Sequence, residues 1–171
     1  MKPQRKTLIA ALTLSLVASI VVPALAQDGT TILTGAELRR VVPAAFYFQG
    51  QSAPTQMRNS AAARLGTNRF VVVGMVDTSG YSAEIRARYE GFFITDSAIT
   101  VGGETLSTGA YGFGFSNDGK LNIIDLANSN VLSVATTKDS ALRRPRPLTM
   151  TMDGANVRLY RGRDYVVIAA K

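Results

Sequence analysis

Between Gly109 and Leu126 the chain reads Gly-Ala-Tyr-Gly-Phe-Gly-Phe, then Ser-Asn-Asp-Gly-Lys, then Leu-Asn-Ile-Ile-Asp-Leu. This pattern admits few backbones. Tyr111, Phe113 and Phe115 alternate with Gly112 and Gly114, so on a strand the three rings share one face and the other face is bare backbone. Asn117-Asp118-Gly119 supplies residues that tolerate the positive φ of a tight turn, and Leu121 and Ile123 resume the alternation. The stretch predicts a β-hairpin at the centre of a β protein.

The same two-residue period recurs elsewhere. Leu148, Met150 and Met152 alternate with Thr149 and Thr151, and after the Asp153-Gly154 turn Val157 and Leu159 alternate with Arg158 and Tyr160. Phe70–Val76 is an apolar, β-branched run that reads as a central buried strand. Further strands are expected at Phe46–Phe48, Met57–Leu65, Phe92–Ile94, Ile99–Val101, Val131–Thr136 and Tyr165–Ala169, with Ser52-Ala53-Pro54 as a break and Gly91 as a bulge. Tyr81–Glu90 alternates strictly, which favours a strand. The competing reading is a helix, because Tyr81, Ile85 and Tyr89 stand at i, i+4 and i+8 among good helix formers.

Two short helical pieces are expected. Thr34 followed by Glu37 is a capping-box pattern that opens a helix over Thr34–Val42, which Pro43 ends. Thr137–Leu142 suggests one helical turn capped by Asp139. Arg143-Arg144-Pro145-Arg146-Pro147 is an extended connection, since proline fixes φ and removes a donor. About ten short strands at spacings of roughly 8–12 residues predict a mainly β fold, an antiparallel β-sandwich, with a small closed β-barrel as the alternative.

Val101-Gly102-Gly103-Glu104-Thr105-Leu106-Ser107-Thr108-Gly109-Ala110-Tyr111 resembles a run found in small exported bacterial β-sandwich domains of unassigned function. In those domains a strand ends at the paired glycines, and the Leu and Gly set up the next strand. Ser107 stands where a proline often follows the Leu. The resemblance implies a sandwich rather than a barrel, and no activity.

The chain opens with Lys2, Arg5 and Lys6, an apolar run from Leu8 to Val22, and Pro23-Ala24-Leu25-Ala26 before Gln27. That is the pattern of a secretory signal peptide over residues 1–26, cleaved near Ala26. It leaves a single β domain over residues 27–171, with a periplasmic or extracellular destination and no membrane-spanning segment in the mature chain. Three of the 19 basic residues lie in the leader, so 16 remain against 12 acidic ones, a net charge of +4. That suits solubility and does not call for a nucleic-acid partner.

The 171 residues contain no Cys and no His. Disulfides, Ser-His-Asp and Cys-His catalysis and the usual zinc and copper sites therefore fall away, and no cofactor is expected. Glu84, Glu90, Asp96, Glu104, Asp125 and Asp164 remain as carboxylates for a hydrolase that pairs two of them. Glu84 and Glu90 read better as solvated charges on the polar face of an alternating strand. The candidate site for an anionic ligand or an envelope component is Arg143, Arg144, Arg146, Arg158, Arg161 and Arg163. If 148–152 pairs with 156–160, both arginine groups gather at the end of the hairpin away from its turn, each presenting a planar fork for carboxylate or phosphate. The alternative is a solvated sheet edge, with Asp139 and Asp164 as partial partners. Tyr111, Phe113 and Phe115 either line an apolar groove or belong to the core. The function expected is that of an exported, non-enzymatic protein binding a partner or ligand in the bacterial envelope. A carboxylate-dependent hydrolase and an outer-membrane β-barrel are the alternatives.

Overall fold

The computed structural model describes residues 29–171, so the leader assigned to residues 1–26 lies outside the described residues. In chain order the elements are β1 (Thr31–Leu33), α1 (Gly35–Val41), β2 (Ala45–Phe48), β3 (Gln51–Arg64), β4 (Phe70–Val76), α2 (Ala83–Arg86) and β5 (Gly91–Thr95). They continue with β6 (Ile99–Val101), β7 (Glu104–Leu106), β8 (Gly109–Ser116), β9 (Lys120–Ile124) and β10 (Asn130–Ala135). The last four are β11 (Thr137–Lys138), β12 (Arg146–Asp153), β13 (Asn156–Gly162) and β14 (Asp164–Ala170).

The strands form two antiparallel sheets packed as a β-sandwich, and neither closes into a barrel. One sheet runs β1-β3-β4-β5-β8-β9-β10 with β2 attached to β3; the other runs β12-β13-β14-β6-β7 with β11 attached to β14. The predicted hairpin is β8–β9, in register from Gly112↔Ile124 to Ser116↔Lys120, with Gly119 at φ 75 in its turn. Its inward residues and those of β4 and β5 meet the second sheet in one apolar core: Val71, Val73, Phe93, Phe113, Leu121 and Ile123 cluster with Leu148, Leu159 and Ile168. All of these are at most 2% exposed. By area bookkeeping, each such side chain contributes about 1.5–3 kcal/mol relative to exposure.

The larger sheet is buried on its outer face as well. The β2–β3 hairpin, α1 and the 81–89 segment lie over it and close a second, aromatic core of Phe46, Phe48, Tyr81, Tyr89 and Phe92. Phe48 stacks on Tyr89 at 4.1 Å between centroids, and Phe46 lies 5.3 Å from Phe92. This layer rests on the bare strip of β8. A Cβ on Gly114 would lie 2.3 Å from the Arg88 carbonyl oxygen, and one on Gly112 would lie 2.9 Å from Phe48 and Ile124.

Residues 81–89 are not the strand that their alternation favoured. Ser82 caps α2, its hydroxyl accepting from the Ile85 amide at 3.3 Å, and Tyr81 and Tyr89 turn onto the sheet at 4% and 1% exposure. The i, i+4, i+8 spacing gathers the apolar residues on one side, where Tyr81 and Tyr89 dock onto Phe48 and Phe92, and the Ser82 cap opens the helix. Gly91 is no bulge: it opens β5 in register with Met75 and Phe113. Ser52-Ala53-Pro54 is no break, since it pairs with β2. Pro54 sits opposite Ala45 while the Thr55 amide supplies the ladder bond to the Ala44 carbonyl at 2.8 Å. The register shift in β3 falls later, between Thr55 and Ser60. The Thr34 side chain makes no cap bond to α1, and the Glu37 and Leu38 amides reach the Thr34 carbonyl instead. In place of a helical turn at 137–142 there is the short β11 and a turn in which the Asp139 carboxylate accepts from the Ala141 and Leu142 amides.

Candidate functional site: an arginine rim at one end of the second sheet

The β12–β13 hairpin sets the geometry. Asp153 pairs with Asn156 across its turn, and Arg146 pairs with Gly162 at the opposite end, with a register shift between Arg146 and Thr149. Pro145 and Pro147 bracket Arg146 and keep the chain extended there. The next strand returns through a tight turn at Gly162-Arg163, with Arg161 opposite Asp164. The Arg163 side chain donates from Nε to the Leu142 carbonyl at 3.2 Å, and the Asp139 amide donates to the Arg163 carbonyl at 2.9 Å. Arg143, Arg144, Arg146, Arg161 and Arg163 thus collect at the hairpin end away from the Asp153-Gly154 turn.

Arg158 does not join them. It lies opposite Thr151, near the turn, donates to Asp153 at 2.9 Å and stacks over the Tyr165 ring at 4.8 Å. The Asp153 carboxylate raises the Arg158 guanidinium above its ordinary range. Arg161 reaches the rim but is committed: its guanidinium bonds Glu90 at 2.6 Å. Glu90 is not the solvated strand residue expected from the alternation. One of its carboxylate oxygens holds Arg161 while the other accepts the Phe115 amide at 3.2 Å, and its side chain is 17% exposed. The pair fastens the β5–β8 end of one sheet to β13 of the other. The acids named as partial partners serve elsewhere or stand free. Asp139 accepts the Tyr160 hydroxyl at 3.0 Å, and Asp164 forms no ion pair among the described residues.

Arg143, Arg144 and Arg146 are exposed, and none of their side chains has a hydrogen bond or ion pair among the described residues. A cleft of ≈ 340 Å³ opens beside them, walled by Met75, Pro145, Pro147 and Gly162, with Arg146 and Arg161 at its margin. The wall of the cleft is largely apolar, so the guanidinium at its edge is the group there that attracts an anion.

Of the aromatic candidates one is buried and two are half-buried against the core. Phe113 is fully buried and meets Phe115 edge-on at 6.1 Å, and Tyr111 and Phe115 pack against the same core. The Tyr111 hydroxyl donates to the Ser107 carbonyl at 3.1 Å. The carboxylates are scattered: Asp96 accepts the Phe70 amide, Asp125 the Ser129 amide, and Glu84 and Glu104 are exposed on α2 and β7. Among the described residues no cluster of acidic side chains is arranged to hold a metal ion. Sequence reasoning missed Glu90 as the partner of Arg161. The signal was the helical spacing of Tyr81, Ile85 and Tyr89, which places Glu90 after the helix and at the mouth of β5.

No protein-family model, curated protein or solved structure matches this chain.

Proposed function

We propose that the protein is an exported, non-enzymatic module that binds an anionic partner in the bacterial envelope through Arg143, Arg144 and Arg146. The leader-like residues 1–26 support export. One observation carries the binding reading. These three arginines are exposed, close in sequence and without an ion pair among the described residues, while Arg161 at the same end and Arg158 at the opposite end of the hairpin are each neutralised by a carboxylate. Concentrating unpaired like charge costs stability through self-repulsion, and an anion brought to the rim relieves it. Polyphosphate is a suitable general probe. It binds the mature chain in low salt, and the triple variant Arg143→Gln, Arg144→Gln, Arg146→Gln loses that binding while keeping the native circular dichroism. Equal binding by the triple variant removes the reading.

A further inference from the structure

Arg146 borders a second cleft as well as the first. This one, of ≈ 360 Å³, lies between β1, the start of α1, β3 and β12. Its walls carry Ile32, Leu38, Ala61 and Met150, with the hydroxyls of Thr34 and Thr149 among them. Arg146 is the residue common to the walls of both clefts. Arg161 in the first cleft is neutralised by Glu90, so Arg146 is the uncommitted cation that both clefts share. β12 is the outermost strand of its sheet, so whatever enters the second cleft runs beside an unpaired strand edge.

We infer that the site takes an extended peptide segment in which one acidic side chain is flanked on both sides by apolar ones. The inference rests on the anion-binding reading and narrows it. The carboxylate sits on the Arg146 fork, one apolar side chain occupies the floor of Met75, Pro145 and Pro147, and another enters beside Ile32, Leu38 and Met150. The order apolar–acidic–apolar follows from the order cleft–arginine–cleft. A free inorganic anion leaves both clefts empty, and a lipid with its charge at one end fills only one of them. Each cleft is open to solvent and has room for one or two large side chains, which suits a chain laid along a strand edge rather than a small molecule that needs enclosure.

Selection of a random peptide display library, with peptides of about twelve residues, on the mature protein tests this. The expected outcome is an enriched pattern of Asp or Glu within two positions of apolar residues on each side. Binding of a synthesised winner falls roughly tenfold or more with Arg146→Gln and less than threefold with Arg143→Gln, each tenfold step being one well-formed charged contact. Thr34→Trp fills the second cleft from an exposed position whose side chain makes no cap bond. It weakens the peptide roughly tenfold and leaves polyphosphate binding unchanged. Winners that are plain acidic runs, or a Thr34→Trp variant that binds the peptide normally, overturn the inference while the anion reading stands. Failure of the wild-type chain to bind polyphosphate removes both.

Discussion

The two ends of the β12–β13 hairpin carry the same residue type and use it oppositely. At the turn end, Arg158 is held by Asp153 and lies flat on Tyr165. At the open end, Arg146 stands in the last ladder pair and Arg143 and Arg144 precede it, none with an ion pair among the described residues, while Arg161 is bonded to Glu90 and Arg163 to the Leu142 carbonyl. Position in the hairpin explains the difference. Near a turn, a side chain has cross-strand and diagonal neighbours within reach, and Asp153 and Tyr165 occupy those places. At the end of a ladder, beside prolines, a side chain has solvent on most sides. The first arrangement serves the fold; the second leaves charge available to something outside the molecule.

The largest expected effect sharpens that contrast at the open end. The triple variant Arg143→Gln, Arg144→Gln, Arg146→Gln loses polyphosphate affinity by about two orders of magnitude at low salt. Its unfolding free energy changes by no more than about 0.5 kcal/mol, as for surface positions without structural partners. Titration calorimetry and urea unfolding of the same preparations read both quantities. A loss of stability comparable to the loss of binding breaks the contrast.

Intermediate effects belong to the committed arginines, with the roles reversed. Arg158→Met keeps the apolar stem and removes the Asp153 bond and the contact to Tyr165. Both partners are about one-third exposed, so solvent screening keeps the loss of stability small, below that of Glu90→Gln. Glu90→Gln keeps an acceptor for the Phe115 amide but releases Arg161, for about 1–2 kcal/mol, because Glu90 is the more buried partner. Arg158→Met leaves polyphosphate binding unchanged, and Glu90→Gln strengthens it slightly by freeing a rim guanidinium. Weaker binding by Glu90→Gln contradicts the assignment of Arg161 to structure.

The smallest effect separates binding from folding by pH. Guanidinium groups stay charged well above pH 10, and the chain has no histidine, so affinity for a fully ionised probe is flat from about pH 6 to 10. Stability is not flat above that range. Burial, then the neighbouring Tyr81 phenol, pushes the Tyr89 phenol up from its ordinary value of 10.0. The native state therefore keeps a proton that the unfolded chain has released. Stability is full below about pH 10 and falls as the pH rises towards the native value. Tyr89→Phe removes its share of that alkaline slope. It also keeps the stack on Phe48 and deletes a buried hydroxyl whose polar neighbour is the Tyr81 phenol, so its effect at pH 7 is small. Thermal unfolding at pH 7 and pH 11 measures both.

The sandwich itself was legible because its signals are local. Alternation at 148–152, the apolar run at 70–76 and Asn-Asp-Gly at 117–119 each dictate a strand or turn without help from the rest of the chain. Where two periods coexisted, at 81–89, the sequence held both answers. The docking of Tyr81 and Tyr89 onto Phe48 and Phe92 decided between them, through residues some 30 or more positions away in the chain for Phe48. The bare strip of Gly112 and Gly114 was visible, but the outer layer that rests on it was not, since an absent side chain does not say what replaces it. At the site, the clustering of Arg143–Arg146 with Arg161 and Arg163 followed from the hairpin pairing alone. Which of them were free did not, because Glu90 reaches Arg161 from the other sheet, 71 residues away in sequence.

The salt dependence of polyphosphate binding addresses the central claim most directly. Each arginine that replaces a counterion on the probe adds roughly one unit to the slope of log affinity against log salt. The wild-type slope should exceed that of the Arg143, Arg144, Arg146 triple variant by about three, while Arg158→Met keeps the wild-type slope. Parallel lines for wild type and triple variant, or a slope lost with Arg158, contradict it.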